Sequence, residues 1–327
     1  MLQSAMHLLK VFLLLAWLSG WGLTGWAADA VPAATGDAPR PEAAGHSASQ
    51  SAGEHHGLTA SPVRYPGLPI TNSMVMTWVV ALIIIGFAQY ATRQMKDVPS
   101  GAQNFWEWLV ESLRDFLESI IGPALVKKTF WFFATLFIFI LFSNWFGLIP
   151  GVGTVGWGHV DEHGFVLTSP LLRGVNADLN MTFAMAMIFF VLWTVWAFQA
   201  NGPKGFVLHI FGPKGDTRGA LKALMVVIFI AAGLLEVVTI LFRPVTLSFR
   251  LYGNIFAGEN MLEAMAGLVQ HPAWARAVAS VIVPIPFYFL EVLVGLVQAL
   301  VFMLLTAVFT MLICQHDDEH GHEQSTH

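Results

Sequence analysis

The chain has 327 residues, of which 56% are hydrophobic and only 11% are charged, and its formal net charge is −5. Several apolar stretches reach about 20 residues, the length that crosses a bilayer core, and this excludes a soluble domain. The single cysteine, Cys314, excludes an internal disulfide. These features predict an all-α polytopic membrane protein with about five transmembrane helices in the mature chain.

Residues 1–28 resemble a secretory signal peptide, because Lys10 precedes a short apolar core and small residues follow up to Ala28. An uncleaved first membrane helix is the alternative, and the shortness of the core favours the signal peptide. Residues 29–70 are rich in Ala, Pro, Gly, Ser and His, which predicts a disordered extracytoplasmic linker. Its histidines lack Cys or ordered carboxylate partners, so we expect no metal site there.

The first membrane helix is predicted over residues 71–90, and Arg93 and Lys96 mark its end as cytoplasmic by the positive-inside rule. Residues 103–121 then place apolar side chains at helical spacing opposite a charged face. This pattern is typical of an amphipathic helix on the membrane surface or against a partner. A second membrane helix is predicted over residues 129–149.

The loop over residues 150–175 is rich in glycine, and its His and acidic residues are interpreted as solvated or structural rather than metal-binding. The third membrane helix is predicted to open at Asn176 and to end near Phe198. Asp178 and Asn180 lie at its start, where capping of the helix explains them and water access is the alternative role.

Basic residues fall unevenly between the predicted loops, and this asymmetry orients the chain. Those predicted inside are Arg93, Lys96, Arg114, Lys127, Lys128, Lys204, Lys214, Arg218 and Lys222. Those predicted outside are Arg40, Arg64, Arg173 and Arg276. The excess predicts an outside N-terminus, a membrane domain over residues 71–315 and a polar, cytoplasmic C-terminal tail over residues 316–327.

Two predicted helices, over residues 220–268 and 272–314, are longer than a perpendicular membrane span requires. Such lengths indicate a long, tilted C-terminal hairpin. Prolines within a helix bend it, so we expect bends at Pro244 and at Pro284 and Pro286.

Polar residues inside the first of these long helices are ordered rather than scattered. Glu236, Arg243 and Arg250 recur every seven residues and therefore share one face, which Asn254 extends by another turn. A second stripe lies on roughly the opposite face and consists of Glu259 and Glu263. An arginine within a membrane is costly and indicates a pathway or a partner. The two stripes suit a helix that touches two aqueous pockets that never join.

The stretch from Arg243 to Glu259 reads Arg-Pro-Val-Thr-Leu-Ser-Phe-Arg-Leu-Tyr-Gly-Asn-Ile-Phe-Ala-Gly-Glu. It resembles the signature of subunit a of F-type ATP synthases, in which a basic residue and Pro precede the essential Arg, and Leu, an aromatic residue, Gly and Asn follow it. Residues 286–298 resemble the last helix of the same family. The resemblance covers roughly residues 70–315.

This resemblance implies a proton-translocating stator beside a ring of c subunits, with the peripheral-stalk subunit b and the rest of the ATP synthase as partners. It implies a multi-pass protein of the bacterial inner membrane with no catalytic residue, cofactor, metal or nucleic-acid partner of its own. Arg250 would separate two offset half-channels, because a guanidinium stays charged and stabilises the ring carboxylate as an anion. The residues assigned to proton translocation are Arg250, Glu291, Gln298, Asn254, Glu259, Glu236 and Glu263, with Asp178 and Asn180 as candidates for water access.

Antiparallel pairing of the two long helices predicts which residues meet. With a turn near residues 269–274, Gln298 falls opposite Arg250, and Glu291 falls opposite residues 256–258. Many bacterial members of the family have His at the position that matches Glu291, and others have Glu. The resemblance therefore implies a carboxylate-based inlet with a different pH dependence.

Two other classes of protein stay open as alternatives. A stand-alone secondary transporter would use Arg250 to bind an anion, but such proteins commonly show internal repeats. The only repeat is a short Gly-Pro-Lys-Gly pair at residues 202–205 and 212–215. A membrane-embedded enzyme would need His or carboxylate residues clustered at helix spacing, whereas the histidines here fall in loops and tails.

Overall fold

The computed structural model describes residues 71–149, 152, 155–161, 164–170, 172–211, 220–268 and 273–314. The predicted signal peptide, linker and C-terminal tail lie outside the described residues, and so does the second Gly-Pro-Lys-Gly copy. Those assignments therefore stay predictions.

The described chain is a bundle of helices with one small β-hairpin inserted between two of them. The helices are α1 (Asn72–Thr92), α2 (Ala102–Ile121), α3 (Pro123–Gly147), α4 (Leu179–Phe211), α5 (Ala220–Ala266), α6 (Ala273–Ile282) and α7 (Pro284–Cys314). Within these residues, five helical segments are long and apolar enough to cross a membrane. This confirms the all-α polytopic architecture with a long C-terminal pair of helices.

Short polar and glycine signals set the helix starts. The Thr71 hydroxyl caps α1 by accepting a hydrogen bond from the Met74 N–H at 3.4 Å. Between α2 and α3, Gly122 adopts φ 79°, and Pro123 then occupies the first turn of α3. The second membrane helix consequently begins six residues earlier than predicted, because the Gly-Pro pair is a strong start signal. Lys127 and Lys128 lie inside α3 rather than before it.

Breaks in the later helices follow glycine and proline. The helical path of α4 kinks at Gly202, with φ 67° and ψ 166°, and Pro203 follows directly. The apolar piece after this kink is helical to Phe211. A single turn residue, Val283, separates α6 from α7 immediately before Pro284, whereas α5 runs without a break through Pro244.

The glycine-rich loop contains structure that the sequence pattern did not indicate. Strands β1 (Gly156–Asp161) and β2 (Gly164–Pro170) pair antiparallel. The chain then passes through a short 3-10 helix, Val175–Ala177, before α4 begins. We refer to the end of the bundle that carries this insertion as the hairpin end.

The predicted amphipathic helix is present as α2, but it buries part of its apolar face against other helices of this chain, whereas the prediction placed that face on the membrane surface or a partner. Leu113, Leu117 and Ile121 are buried, and α2 packs against α1, α3 and α7. On its other face, Arg114 and Glu118 form an exposed ion pair of 3.8 Å. Such an exposed pair contributes little stability, so burial of the apolar face holds the helix in place.

Burial is distributed very unevenly among the membrane helices. In the apolar membrane-crossing stretch of α3, 67% is buried inside the chain, whereas in that of α5 only 17% is buried. Phe132, Phe133 and Phe139 make α3 the centre of the core. α5 packs on α4 and α7 along one side and leaves the rest of its surface open.

Candidate functional site

Arg250 lies on the open side of α5, near the middle of its membrane-crossing segment. The residue is exposed, and its neighbour Phe249 is 54% exposed. Within the described residues, Arg250 makes no hydrogen bond or ion pair. A charged guanidinium at this depth requires water or a polar partner, because hydrocarbon does not solvate it. Among the described residues, no side chain pairs with Arg250 on the open side of α5.

Two helical turns before Arg250, at the middle of α5, Arg243 turns inward. Its guanidinium forms a 3.2 Å ion pair with Glu236, which confirms that these residues share one face. It also lies 4.4 Å from the centroid of the Phe309 ring and 5.5 Å from that of Trp193. Arg243 thus joins α4, α5 and α7 through cation–π and ionic contacts, rather than extending toward an interface.

At the hairpin end, α3, α5, α7 and the segment before α4 enclose a cavity of about 10 Å³. Two carboxylates from different helices, Glu259 and Glu291, line this cavity together. The other polar residues that line it are Ser143, Asn144 and Asn176. The structure thus brings together two sequence-predicted site residues that lie 32 positions apart in the chain.

Glu291 is 6% exposed and faces Gly258 across the contact between α5 and α7. A Cβ atom at Gly258 would overlap the Glu291 carboxylate, so only glycine leaves room for this side chain. The contact confirms the predicted antiparallel pairing of Glu291 with residues 256–258.

Two consecutive residues of α3 fix the helical turn that follows Glu291. The Asn144 Nδ2 donates to the Gly295 carbonyl at 3.0 Å, and the Trp145 Nε1 donates to the Val292 carbonyl at 3.1 Å. A Cβ atom at Gly295 would lie only 3.1 Å from the Asn144 Cβ, so the two helices meet at close range. The Asn144 Oδ1 in turn accepts a 2.6 Å hydrogen bond from the Asn176 Nδ2.

Asp178 caps α4, as predicted. Its Oδ1 accepts from the Asn180 N–H at 3.0 Å, and its Oδ2 accepts from the Ser73 hydroxyl at 2.6 Å. Asp178 therefore ties α4 to α1 while it is buried. Neither Asp178 nor Asn180 lines the cavity, so their water-access role stays a prediction.

The remaining predicted pathway residues are distributed along α5 and α7. Asn254 and Gln298 are half-buried, and no hydrogen bond connects Gln298 with Arg250 in the described part of the chain. Glu263 is exposed at the hairpin end, one turn beyond Glu259. Glu236 lies toward the opposite end of α5, and its side chain is 49% exposed.

Sequence reasoning missed the residues that complete the cavity. Ser143 and Asn144 were given no role, and Asn176 was named only as the start of the third membrane helix. Arg173 was counted only as an outside charge, yet it is 4% exposed and interacts electrostatically with Tyr252 and Glu259. The sequence signal that could have identified the cavity residues is their position as polar residues close to the ends of apolar helices.

The bundle, with five described helical segments long and apolar enough to cross a membrane, defines a multi-pass membrane protein. A profile of the family "ATP synthase A chain" matches residues 74–311. ATP synthase subunit a of Gloeobacter violaceus is 31% identical over 274 residues, covering 84% of this chain and 94% of that protein. The same subunit of Desulforamulus reducens is 33% identical over 267 residues, covering 81% and 84%. That of Mycobacterium bovis is 30% identical over 272 residues, covering 82% and 95%.

The chain therefore belongs to the ATP synthase subunit a family. Membership places it among the membrane subunits that take part in ATP synthesis and proton transport.

Proposed function

We propose that this chain is the stator subunit that carries protons past a rotating ring of c subunits, with Arg250 separating two offset half-channels. The observation that carries the proposal is the exposure of Arg250 on the open side of α5, within a membrane-crossing segment. A stand-alone transporter would enclose such a charge within its own fold. An exposed arginine charge fits a subunit whose ion pathway is completed by a neighbouring ring.

The chemistry of Arg250 follows from its permanent charge. A guanidinium keeps its proton at any working pH, so it stabilises an ionised carboxylate on the ring as that carboxylate passes. The same positive charge repels a proton that would cross directly between the half-channels. Asn254 and Gln298, which are half-buried near this level, would supply hydrogen bonds to the passing carboxylate.

The half-channel at the hairpin end would use the carboxylate cavity. Glu259 and Glu291 are titratable groups held within a membrane segment, as a proton relay requires. Glu263 is exposed beyond Glu259 and would exchange protons with bulk water. Asp178 and Asn180, at the start of α4, would border the route by which water reaches the cavity.

The other half-channel would open at the Glu236 end of α5. The half-exposed Glu236 carboxylate can meet water, while Arg243 holds it in position at 3.2 Å. A proton released there has crossed the membrane, and each such crossing yields about 2.3 kcal/mol per 100 mV of membrane potential. That free energy would turn the ring, while covalent chemistry belongs to other subunits.

The proposed setting is a bacterial plasma membrane, with the N-terminus outside and the C-terminus in the cytoplasm. The partners would be the c ring, subunit b of the peripheral stalk and the remaining subunits of the ATP synthase.

The test is ATP-driven proton pumping in inverted membrane vesicles, followed with a pH-sensitive dye. Arg250→Ala should assemble with the ring and abolish pumping. Arg114→Ala is the matched control, because Arg114 is an exposed arginine on α2 whose ion pair is solvent-screened. If Arg250→Ala pumps as fast as Arg114→Ala, the assignment of the stator charge is wrong.

A further inference from the structure

At the hairpin end, three buried side-chain oxygens without a hydrogen-bond partner in the described chain belong to residues that line the cavity. They are Ser143 Oγ, Asn176 Oδ1 and Glu291 Oε1. They come from α3, from the 3-10 helix and from α7, so the fold converges on this point from three directions. Buried polar atoms in native proteins are nearly always satisfied, and a group of three around one cavity indicates a shared partner.

The surrounding hydrogen bonds fix which atom of each amide faces the cavity. The Gly295 carbonyl can only accept, so Asn144 must present its Nδ2 to it and its Oδ1 to Asn176. Asn176 therefore uses its Nδ2 for Asn144 and leaves its Oδ1 for the cavity. The Gly295 carbonyl thus determines which atom is nitrogen and which is oxygen in the side-chain amides of both Asn144 and Asn176.

A water molecule matches this set of atoms in size and in hydrogen-bonding capacity. The cavity of about 10 Å³ has room for a single water. Such a water would accept a hydrogen bond from the Ser143 hydroxyl and donate its two protons to the Asn176 Oδ1 and the Glu291 Oε1. Three hydrogen bonds are typical of a buried water in a protein.

We propose that Ser143, Asn176 and Glu291 hold one bound water, and that this water passes the proton between Glu259 and Glu291. The proposal rests on the relay role given to Glu291 above. In the step, the Glu259 carboxyl releases a proton to the water as the water releases another to the Glu291 carboxylate. Glu259 becomes a carboxylate, Glu291 becomes a carboxyl group, and the water is regenerated. Ser143 and Asn176 do not titrate and act as positioning residues.

The direct test is a high-resolution cryo-EM map of the whole ATP synthase. We expect a density peak about 2.6–3.2 Å from all three oxygens, the range of ordinary hydrogen bonds. The peak should weaken or disappear in Ser143→Ala. A wild-type map with no peak overturns the proposal. A peak surrounded by five or more oxygens at about 2.4 Å also overturns it, because that geometry belongs to a metal cation.

The functional test is passive proton conduction through the membrane sector in vesicles stripped of the catalytic head. Ser143→Ala should conduct about two- to tenfold more slowly, the effect of one hydrogen bond on a single step. Thr135→Val is the matched control, because Thr135 is a buried hydroxyl residue of the same helix that donates to the Trp131 carbonyl and does not line the cavity. Wild-type conduction by an assembled Ser143→Ala complex overturns the proposal.

A double variant separates a shared water from two independent packing defects. If Ser143 and Asn176 hold the same water, Ser143→Ala combined with Asn176→Ala should conduct no more slowly than Asn176→Ala alone. Multiplication of the two single effects would overturn the proposal. Should Asn176→Ala fail to assemble, the Ser143→Ala comparison and the map still decide the question.

Failure of the relay role and failure of the water site can be distinguished. Glu291→Gln removes the titratable group, so undiminished conduction in this variant refutes the role of Glu291. The wild-type map decides the water site whatever that variant does. If Glu291→Gln conducts poorly while the wild-type cavity is dry, only the water proposal is wrong.

Discussion

Gly258 is the position at which adding one methyl group should most disturb the carboxylate cavity. A Cβ there would overlap the carboxylate of Glu291, while the backbones of α5 and α7 on either side are regular helix. The mobile end of the Glu291 side chain must therefore move away from its place beside the cavity.

The size of the effect follows from two general magnitudes. Overpacking of a close contact costs about 1–3 kcal/mol, too little to unfold the bundle. Displacement of a reacting group by about 1 Å, however, costs up to roughly 100-fold in rate. We therefore expect Gly258→Ala to assemble normally and to lower passive proton conduction by about 10–100-fold.

The assay is the decay of an imposed pH difference across vesicles stripped of the catalytic head. Gly86→Ala is the control, because a Cβ at Gly86 in α1 would meet no atom within 4 Å. A second variant, Gly258→Ala with Glu291→Asp, shortens the carboxylate side chain by one methylene and should recover part of the lost conduction.

Two results would refute this reasoning. Wild-type conduction by Gly258→Ala would show that Glu291 can move without consequence. Absence of any recovery in the double variant would show that the steric overlap is not the cause of the defect.

Three further predictions concern other contacts. Gly295→Ala should destabilise the subunit by about 1–3 kcal/mol, because the added Cβ would lie 3.1 Å from the Asn144 Cβ. An unchanged midpoint of thermal unfolding in detergent would contradict this prediction. Glu236→Gln should change stability by less than about 1 kcal/mol, because its pair with Arg243 is half-exposed. Proton pumping should nevertheless fall roughly tenfold or more, and an unaltered rate removes Glu236 from the pathway. Gly122→Ala should cost about 1–3 kcal/mol through backbone strain at φ 79°, measured against Gly86→Ala.

The elements that sequence reasoning found are those that local physics specifies. Long apolar runs predicted every membrane-crossing helix, because span length is set by the bilayer. The seven-residue interval between Glu236 and Arg243 predicted that they share one face of the helix, because helical geometry alone determines it, and their ion pair agrees with this. Antiparallel pairing was sufficient to place Glu291 beside Gly258, since two long helices joined by a short turn leave little freedom.

Some of the features that sequence reasoning missed depend on contacts between segments that lie far apart in the chain. The bond from Asn144 to Gly295 joins positions 151 residues apart, and no local pattern encodes it. The early start of α3 was missed because the prediction began the helix after Lys127 and Lys128, whereas the Gly-Pro pair before these lysines starts it. The β-hairpin was missed because glycine lowers strand propensity, so its short strands resembled a loop.

The open side of α5 also has a consequence for the life of the protein before assembly. On the proposed function, a newly inserted copy would expose to lipid a guanidinium that no described residue pairs with, and binding of the ring would relieve that cost. Binding of the ring stabilises the inserted form by mass action, so its abundance should follow the supply of c subunits. A cell that makes too few rings would then lose the surplus stator to membrane proteases.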